Sequence, residues 1–335
     1  MSHDEKNLQD GISRKKIKDE FHYYYIKDGR EVTKKDLDRI KKLGIPPAWT
    51  NVWVSRDPEA TIQAIGRDIK GRKQYRYHQV HIQKAEREKF TRLYDFIRSM
   101  PKLERVMSVH NNLPYYSKNR IIALMMQMIR DYQMRVGKEV YARENKSYGI
   151  SSLRKRHVTV TPKAVVLKFK GKSGQRLHYT IKNEFYIKGI KMLMNLTGDR
   201  LFQYIEMDPD GNEKLYRVTD RDLNLYLQDH MGSEFTIKDW RTFGANLYFI
   251  HALLLETRKR KPRDRKSIKK NLINAFKSTA RHLKHTGAVS KKSYVMSFTT
   301  ELYQNSPEFF VRHKNDSPVD LLLTILKQYK ENVLS

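Results

Sequence analysis

The sequence predicts an α+β protein with two domains: a small, antiparallel, β-rich N-terminal domain and a larger, mostly α-helical domain that contains a β-hairpin. The chain has 335 residues, which is enough for two hydrophobic cores. Before residue 85, polar and apolar or aromatic side chains alternate as in strands, whereas later segments repeat apolar residues at helical spacing. We therefore predict domains at residues 1–85 and 86–335, and we find no internal repeat.

The first domain is predicted to consist of short strands and one helix, separated by turn-forming residues. The helix is expected to end at Gly44, before Pro46-Pro47. The expected elements are a strand at Phe21–Ile26 entering a turn at Asp28-Gly29, a helix at Thr33–Leu43, strands at Asn51–Ser55 and Thr61–Gly66, and a basic turn and strand at Lys70–His78.

The second domain is predicted to be helical apart from one hairpin. A charged helix over Lys84–Met100 is expected to break at Pro101, because proline removes a backbone donor. Arg120–Met134 is strongly apolar on one face and should be buried. Two strands form the hairpin, Val165–Lys170 and Arg176–Ile181. Further helices are expected near residues 183–196, 219–230, 236–257, 268–285, 291–304 and 317–333.

A corner between two helices near the C-terminus carries a histidine and a tyrosine. One helix is expected to stop at Gly287, and Ser290 is expected to cap a second helix that carries Val295, Phe298 and Leu302. The dipole of the first helix should bias His285 towards its charged form, with Tyr294 beside it. Taken alone, such residues are more often packing residues than catalysts.

Composition limits the possible partners. The chain has 67 Lys plus Arg against 37 Asp plus Glu, a formal net charge of +30, which favours a polyanion. Its 20 tyrosines and 13 phenylalanines favour nucleic acid over an anionic membrane, since aromatic rings stack on bases. It has no cysteine, which excludes disulfides and cysteine-bound zinc. Its polar start is unlike a secretory signal, and no apolar run is long enough to span a membrane, so we predict a soluble, intracellular protein.

Three motifs resemble binding sites but have other interpretations. Gly171-Lys172-Ser173 is not a phosphate-binding loop, because position 166 is Val and the lysine lies in a hairpin turn. Asp208–Glu213 is typical of an acidic turn and not of a metal site. The basic run Arg258–Lys266 fits a nuclear import signal, a phosphate contact or a solvated loop, and the sequence leaves these open.

Three cations stand at structured positions. Arg135 follows the apolar helix, Lys172 occupies the tip of the hairpin, and Arg241 lies in the first turns of a helix opened by Thr236 and Asp239. Arginine offers a planar fork that matches two phosphate oxygens, and helix N-termini favour anions. Each residue alone is equally consistent with a DNA-backbone contact or a surface charge.

Five stretches, in order, resemble the type IB DNA topoisomerases, and especially their smaller poxvirus, giant-virus and bacterial branch. The strongest are Lys238–Gly244, and Ser290–Tyr294 following His285. The others are Gly44–Trp49, Gly66–His78 and Tyr148–His157, so the resemblance spans residues 20 to 305. It implies this family's fold, and a giant-virus, mimivirus-like member in particular.

The resemblance also implies roles. Tyr294 matches the nucleophile that forms a 3′-phosphotyrosyl link. Arg135, Arg241 and His285 match groups that stabilise the scissile phosphate, and Lys172 matches the general acid for the leaving 5′-oxygen. The implied DNA contacts are Gln74, Tyr75 and Tyr77 in the first domain, Lys138 and Tyr141 beside the cleavage site, and Lys238.

The implied activity is relaxation of supercoiled DNA by transient single-strand cleavage and religation, without ATP, metal or another cofactor. Exchange of one phosphodiester for another conserves bond energy, so no energy source is needed. The implied partner is double-stranded DNA, clamped by a monomer with no membrane involvement. The expected location is at DNA inside the cell and, for a viral member, in the virion or the viral factory.

Two alternatives remain. A tyrosine recombinase uses a similar residue set, but usually has His three residues before its second arginine, where this chain has Lys238. Its N-terminal domain is also helical, unlike the β-rich module predicted here. A non-enzymatic DNA-binding protein of the same fold is the other alternative, although all five catalytic positions carry the residues that the chemistry needs.

Overall fold

A computed structural model describes residues 10–334 of the chain, with side chains described up to residue 332. The polar start of the chain, predicted not to be a secretory signal, lies outside the described residues. The chain divides into two compact units, with the division between Lys89 and Phe90. Each unit has its own hydrophobic core.

The first unit contains one antiparallel sheet of five strands in the order β2-β1-β3-β4-β5, with one short helix. Its elements are β1 (Gly11–Ile17), β2 (Glu20–Tyr25), α1 (Lys34–Lys42), β3 (Thr50–Ser55), β4 (Ile62–Arg67), β5 (Lys73–Tyr77) and the start of α2 (Gln79–His110). The strands and helix that the sequence predicts here are confirmed within about one residue, and β1, which pairs with β2, was missed.

Local chemistry explains the helix and the core of this unit. Thr33 caps α1 by accepting a hydrogen bond from the Asp36 backbone N–H at 3.2 Å, as an N-cap residue does. The helix buries Ile40 against the sheet residues Ile12 and Val54, which are fully buried. Alternation along the strands therefore leaves one sheet face for the core and the other for solvent.

The second unit is mostly helical and also contains a three-stranded sheet, in the order β6-β7-β8, and a two-stranded hairpin. Its elements after α2 are α3 (Lys118–Tyr132), α4 (Glu139–Asn145), β6 (Val158–Val160), β7 (Val165–Lys170), β8 (Arg176–Ile181), α5 (Glu184–Met194), β9 (Gln203–Met207), β10 (Glu213–Arg217), α6 (Asp220–Met231), α7 (Ile237–Lys259), α8 (Arg265–His282), α9 (Ser297–Asn305), α10 (Pro307–Arg312) and α11 (Pro318–Leu334). The predicted α+β class is confirmed, and the β7–β8 hairpin has the predicted bounds.

The predicted break at Pro101 is wrong, because α2 continues through this proline to His110. An interior proline removes one helical hydrogen bond and crowds the preceding turn. Here the residues on both sides of it are anchored in one core: Phe96 before the proline, and Leu103 and Met107 after it, are fully buried. Burial of these side chains outweighs the lost hydrogen bond.

Several short elements are not predicted from the sequence. Helix α4, strand β6, the β9–β10 hairpin and helix α10 have too few residues for a clear period. The acidic turn at Asp208 is confirmed, since its carboxylate accepts hydrogen bonds from the backbone N–H groups of Asp210 and Asn212. Among residues 10–334, no helix is long and apolar enough to cross a membrane.

Candidate active site

Helix α7 places Arg241 at the centre of the second unit's candidate site. The helix begins at the predicted pair: the Asp239 carboxylate accepts from the backbone N–H and from the hydroxyl of Thr236, at 2.9 Å each. Trp240 and Arg241 follow, and both are buried. The guanidinium of Arg241 donates to the carbonyl of Gln133 at 2.5 Å and to that of Leu283 at 2.6 Å. It therefore joins the ends of α3 and α8.

Arg241 keeps unused donors for a ligand. Its Nε is buried and has no hydrogen-bond partner among the described residues. A guanidinium has five N–H donors, so the two carbonyls leave the Nε hydrogen and others on the Nη atoms. Burial, and then the nearby Arg135, lower the pKa of Arg241.

Tyr294 ends a π-helical turn, Ser290–Tyr294, and not the first turn of an α-helix. The backbone N–H of Val295 bonds to the Ser290 carbonyl at 3.0 Å, which is the i→i+5 spacing of such a turn. The predicted helix over 291–304 is therefore wrong at its start, since α9 begins at Ser297. Ser290 is fully buried and opens the π-helical turn, so the prediction that it caps the following helix is also wrong.

Asn246 fixes the backbone on both sides of Val295. Its amide donates to the Tyr294 carbonyl at 3.0 Å, and its side-chain oxygen accepts from the Met296 N–H at 2.9 Å. The same amide donates to the Thr242 carbonyl within α7 at 2.8 Å. Asn246 is 1% exposed, so these hydrogen bonds lie in a region of low dielectric where they are strong. Helix α7 thus positions Tyr294.

His285 lies in the turn between α8 and Tyr294. The expected stop at Gly287 is wrong: α8 ends at His282, and Lys284 takes the left-handed conformation, with φ 51°. The Lys284 side chain donates to the His178 carbonyl on β8 at 2.6 Å, which ties this turn to the hairpin. The imidazole of His285 is stacked on the Tyr294 ring, so the predicted proximity of these two residues is confirmed.

The predicted charged form of His285 is wrong. Burial lowers its pKa to about 4, an effect that the nearby Arg241 and Arg135 increase and the Thr286 carbonyl only partly offsets. The end of α8 supplies a weaker field than these two guanidiniums. His285 is therefore neutral near pH 7. Its Nδ1 lies 3.0 Å from the Thr286 carbonyl, and its Nε2 is buried without a partner among the described residues.

Two glycines fix the segment that carries Arg135, which follows α3 as predicted. A Cβ on Gly149 would lie 2.5 Å from the carbonyl oxygen of Arg135, and a Cβ on Gly137 would lie 2.4 Å from the Gly149 nitrogen. Only glycine permits this backbone approach. The Arg135 carbonyl accepts from the Ile150 N–H at 2.8 Å, which anchors the segment beside the site.

Lys172 occupies the tip of the β7–β8 hairpin, as predicted. The turn closes through a hydrogen bond from the Gly171 N–H to the Gln175 carbonyl at 2.7 Å, with Ser173 and Gly174 at positive φ. The lysine side chain is exposed. It nevertheless contributes to lowering the pKa of Tyr294, which places the hairpin tip within electrostatic reach of the tyrosine.

The charges around Tyr294 lower the pKa of its hydroxyl. Burial raises the pKa of Tyr294, but Arg241, Arg135 and Lys172 together lower it by more, so the net shift is downward. The Arg241 guanidinium carbon lies 5.4 Å from the centre of the tyrosine ring. The structure thus brings together all five residues singled out near this corner and along the chain: Arg135, Lys172, Arg241, His285 and Tyr294.

The candidate DNA contacts of the second unit lie on exposed positions. Lys138 and Lys238 are exposed, and Tyr141 is 52% exposed on α4. Glu139 holds the first turn of α4, since its carboxylate accepts from Arg154 and Arg200 at 2.7 Å each. Because these ion pairs fix the helix, Lys138 and Tyr141 project from a defined surface.

The candidate DNA contacts of the first unit lie on the edge strand β5. Tyr75 and Tyr77 point to one face of the sheet, where their rings stack with centroids 5.9 Å apart. Gln74 lies on the opposite face by the alternation of the strand, and its amide donates to the Asp68 carboxylate at 3.0 Å. Strand geometry therefore separates these three residues into a tyrosine pair and a glutamine bound to the turn.

The residues that hold the site in place are not predicted by the sequence patterns. Asn246 and Gln133 are buried amides, and a Cβ on Gly244 would lie 2.0 Å from the Gln133 side-chain oxygen. A buried asparagine and a glycine in an otherwise apolar helix were the available signals. Among the described residues, no group of three or more His, Cys, Asp or Glu side chains is placed to hold a metal ion.

Comparison with known proteins gives consistent matches across most of the chain. The family model described as the catalytic core of eukaryotic DNA topoisomerase I matches residues 72–308, and that of the N-terminal domain of bacterial DNA topoisomerase IB matches residues 20–68. The chain is 71% identical over 334 residues to DNA topoisomerase 1B of Acanthamoeba polyphaga mimivirus, covering 100% of this chain and 99% of that protein.

More distant matches come from poxviruses. The chain is 27% identical over 246 residues to DNA topoisomerase I of monkeypox virus and 26% identical over 246 residues to DNA topoisomerase 1B of vaccinia virus strain Copenhagen. Each alignment covers 72% of this chain and 72% of the poxvirus protein.

Proposed function

The chain belongs to the type IB DNA topoisomerases, and on that premise we propose that Tyr294 is its nucleophile and that Arg135, Lys172, Arg241 and His285 complete its active site. As a member of this family, the protein relaxes supercoiled DNA by transient cleavage of one strand, through a 3′-phosphotyrosyl intermediate, followed by religation. The observation that carries the assignment of Tyr294 is the contact of its ring with two of these groups, since the Arg241 guanidinium carbon lies 5.4 Å from the ring centre and His285 is stacked on the ring.

The Tyr294 oxygen attacks the scissile phosphorus, and the bond from phosphorus to the 5′-oxygen breaks. The new phosphotyrosyl ester replaces the old ester, so bond energy is conserved and the 5′-hydroxyl reverses the step. The extra negative charge on the phosphate oxygens develops beside Arg241 and Arg135. The Arg241 guanidinium is held before the reaction by the carbonyls of Gln133 and Leu283, so it needs little reorganisation. The Nε atom of Arg241 has no partner among the described residues, which supports a direct hydrogen bond from it to this phosphate.

Lys172 protonates the leaving 5′-oxygen. Support comes from its place at a hairpin tip that is tied to the corner of the site through Lys284 and the His178 carbonyl. A lysine at the tip of a hairpin can approach the leaving oxygen when DNA is bound and donate a proton to it. In religation the neutral amine takes the proton back from the 5′-hydroxyl.

DNA contacts and stoichiometry complete the proposal. Gln74, Tyr75, Tyr77, Lys138, Tyr141 and Lys238 contact the duplex, which the net charge of +30 attracts. One copy of the chain acts as a monomer, because a single second unit contains all five active-site side chains. Its similarity to a mimivirus enzyme over nearly the full length supports action on viral DNA in infected cells.

The assignment of Tyr294 is tested by covalent capture on plasmid DNA. Tyr294→Phe should abolish both relaxation and the covalent complex, while its non-covalent affinity for DNA stays within about twofold of wild type. Tyr216→Phe is the matched control, since that hydroxyl forms no hydrogen bond among the described residues, and it should relax plasmid normally. Covalent capture by Tyr294→Phe would mean that another tyrosine is the nucleophile.

A further inference from the structure

The turn between β4 and β5 exposes an isoleucine that contributes nothing to the fold. Ile69 is 85% exposed, the highest value of any large apolar side chain that the structure describes. Ile17 and Ile26, on the other hairpin of the same sheet, are only 45% and 41% exposed. Single exposed apolar residues are common on proteins, but neighbouring atoms usually cover part of their side-chain surface. Almost none of the Ile69 side chain is covered.

The turn around Ile69 is fixed by Asp68. Its Oδ1 accepts from the backbone N–H groups of Lys70 and Arg72, and its Oδ2 accepts from the side chains of Arg72 and Gln74. The Gly71 N–H closes the turn onto the Asp68 carbonyl at 2.8 Å. Ile69 is a central residue of this turn, and a β-branched side chain is an unusual choice where glycine, asparagine or proline is favoured.

The surroundings of Ile69 fit nucleic acid and no apolar partner. Arg67, Lys70, Arg72 and Lys73 flank it within four residues on either side. A protein surface that docks an apolar partner has a contiguous apolar patch, and this turn offers one apolar side chain among cations. Phosphates neutralise such cations, which leaves the isoleucine facing base edges.

We propose that Ile69 is a specificity-determining residue that contacts the C5-methyl group of a thymine in the major groove. The turn between β4 and β5 lies at one end of the five-stranded sheet, and a short turn of this kind can enter the major groove, which is about 12 Å wide. Thymine presents there the one apolar group among the four bases, and apolar side chains recognise it. The rigid turn loses little conformational entropy on binding, so a single methyl contact is expressed as affinity. This inference rests on the proposed reading of DNA by the first unit.

The test removes the methyl group from the DNA and the isoleucine from the protein. Binding is measured with Tyr294→Phe protein, which stays non-covalent, on duplexes that span one mapped cleavage site. Each thymine is replaced in turn by deoxyuridine. With Ile69 present, affinity should fall about fourfold at one or two positions, as expected for one buried methyl-sized group. Ile69→Ser should bind the unmodified duplex about fourfold more weakly and be indifferent to deoxyuridine at those positions.

Ile17→Ser is the control, because it removes an exposed isoleucine from the other hairpin and should keep the deoxyuridine sensitivity. Indifference of the Ile69 protein to every substitution, or equal sensitivity of the Ile69→Ser protein, overturns the proposal. The proposal is also overturned if the protein bends DNA, Ile69→Ser does not, and binding is independent of the thymine methyl group. That result would indicate that Ile69 is a wedge in the minor groove. These outcomes leave covalent capture by Tyr294 untouched. The DNA contact of the first unit is tested separately with a Tyr75→Ala, Tyr77→Ala double variant. If the first unit does not read DNA, this variant should bind the duplex with unchanged affinity.

Discussion

The imidazole of His285 is stacked on the ring of Tyr294, with ring centroids 5.4 Å apart and planes 16° from parallel. Imidazole nitrogens donate and accept in the plane of their ring, so a tyrosine stacked on its face is poorly placed to give its hydroxyl proton to His285. This geometry supports the proposed role of His285 as a donor to the phosphate and argues against a role as the base for Tyr294. Lowering of the pKa of Tyr294 by Arg241, Arg135 and Lys172 reduces the need for a base.

The first prediction is that DNA binding takes up a proton at His285. The Nδ1 atom faces a carbonyl and must donate, so in the neutral ring Nε2 has only a lone pair. It can donate to a phosphate oxygen only after protonation. Since the pKa of His285 is about 4 in the free protein, the ring is neutral at pH 7. A bound phosphate raises that pKa, so affinity should increase as pH falls from 8 to 6.

Calorimetry of Tyr294→Phe protein with duplex DNA, in buffers of different ionisation enthalpy, measures this uptake, which should approach one proton. Removal of the Tyr294 hydroxyl excludes that group as a source of the proton change. The Tyr294→Phe, His285→Gln double variant should take up none. Equal uptake by the two proteins would contradict the assignment.

The second prediction concerns the general acid. Lys172→Ala should slow single-turnover cleavage about 10²- to 10⁴-fold, because the leaving 5′-oxygen then departs without a proton. A substrate with sulfur at that 5′ position leaves without protonation and should restore most of the rate. Lys168→Ala removes the same charge from the same hairpin and should cleave nearly normally. If the sulfur substrate gives no rescue, Lys172 acts on the phosphate charge and not as the acid.

The third prediction concerns the positioning of Tyr294 by Asn246. Asn246→Ala removes the hydrogen bonds to Tyr294 and Met296, so the tyrosine backbone can shift. A displacement of about 1 Å costs about 10²-fold in rate. We expect cleavage about 10- to 100-fold slower with DNA affinity unchanged.

The control is Asn271→Ala, which removes another buried amide whose partners, Arg260 and Tyr303, lie on other elements. Both variants should lower the melting temperature, but only Asn246→Ala should slow cleavage by the folded protein. Similar rates for the two variants would show that Asn246 serves stability alone.

The fourth prediction concerns the contact of Gly244 with Gln133. A Cβ at position 244 would lie 2.0 Å from the Gln133 side-chain oxygen and 2.4 Å from its Cδ, and Gln133 is buried. Gly244→Ala should therefore displace the segment that leads to Arg135, lower stability by about 1–3 kcal/mol and slow cleavage. Thermal unfolding and single-turnover cleavage measure the two effects.

Truncation of the partner provides the decisive comparison. Gln133→Ala should restore part of the cleavage rate in the Gly244→Ala background, because it removes the colliding atoms. Gly189→Ala is the control: its Cβ would lie 2.9 Å from Leu124 in the core, away from Arg135, so it should affect stability and not cleavage. If Gln133→Ala does not restore the cleavage rate, the effect of Gly244→Ala does not arise from its contact with Gln133.

Much of the fold and the identity of the candidate site follow from local patterns. Alternation over Val165–Lys170 and Arg176–Ile181 defines the hairpin and the lysine at its tip, because the period of two is a property of the strand itself. Thr236 and Asp239 define the start of α7, because a capping box involves only neighbours in the chain. The order of Arg135, Lys172, Arg241, His285 and Tyr294 along the sequence indicates the family.

The tertiary structure alone decides how these residues work together. The end of α8 at Lys284 and the π-helical turn before Tyr294 depend on contacts with β8 and α7, which are distant in sequence. The neutral state of His285 depends on burial and on two guanidiniums that other segments bring near, so the local helix dipole predicts the wrong charge. Desolvation and packing join residues more than 100 positions apart, such as Gln133 and Arg241, and no local period in the sequence records them.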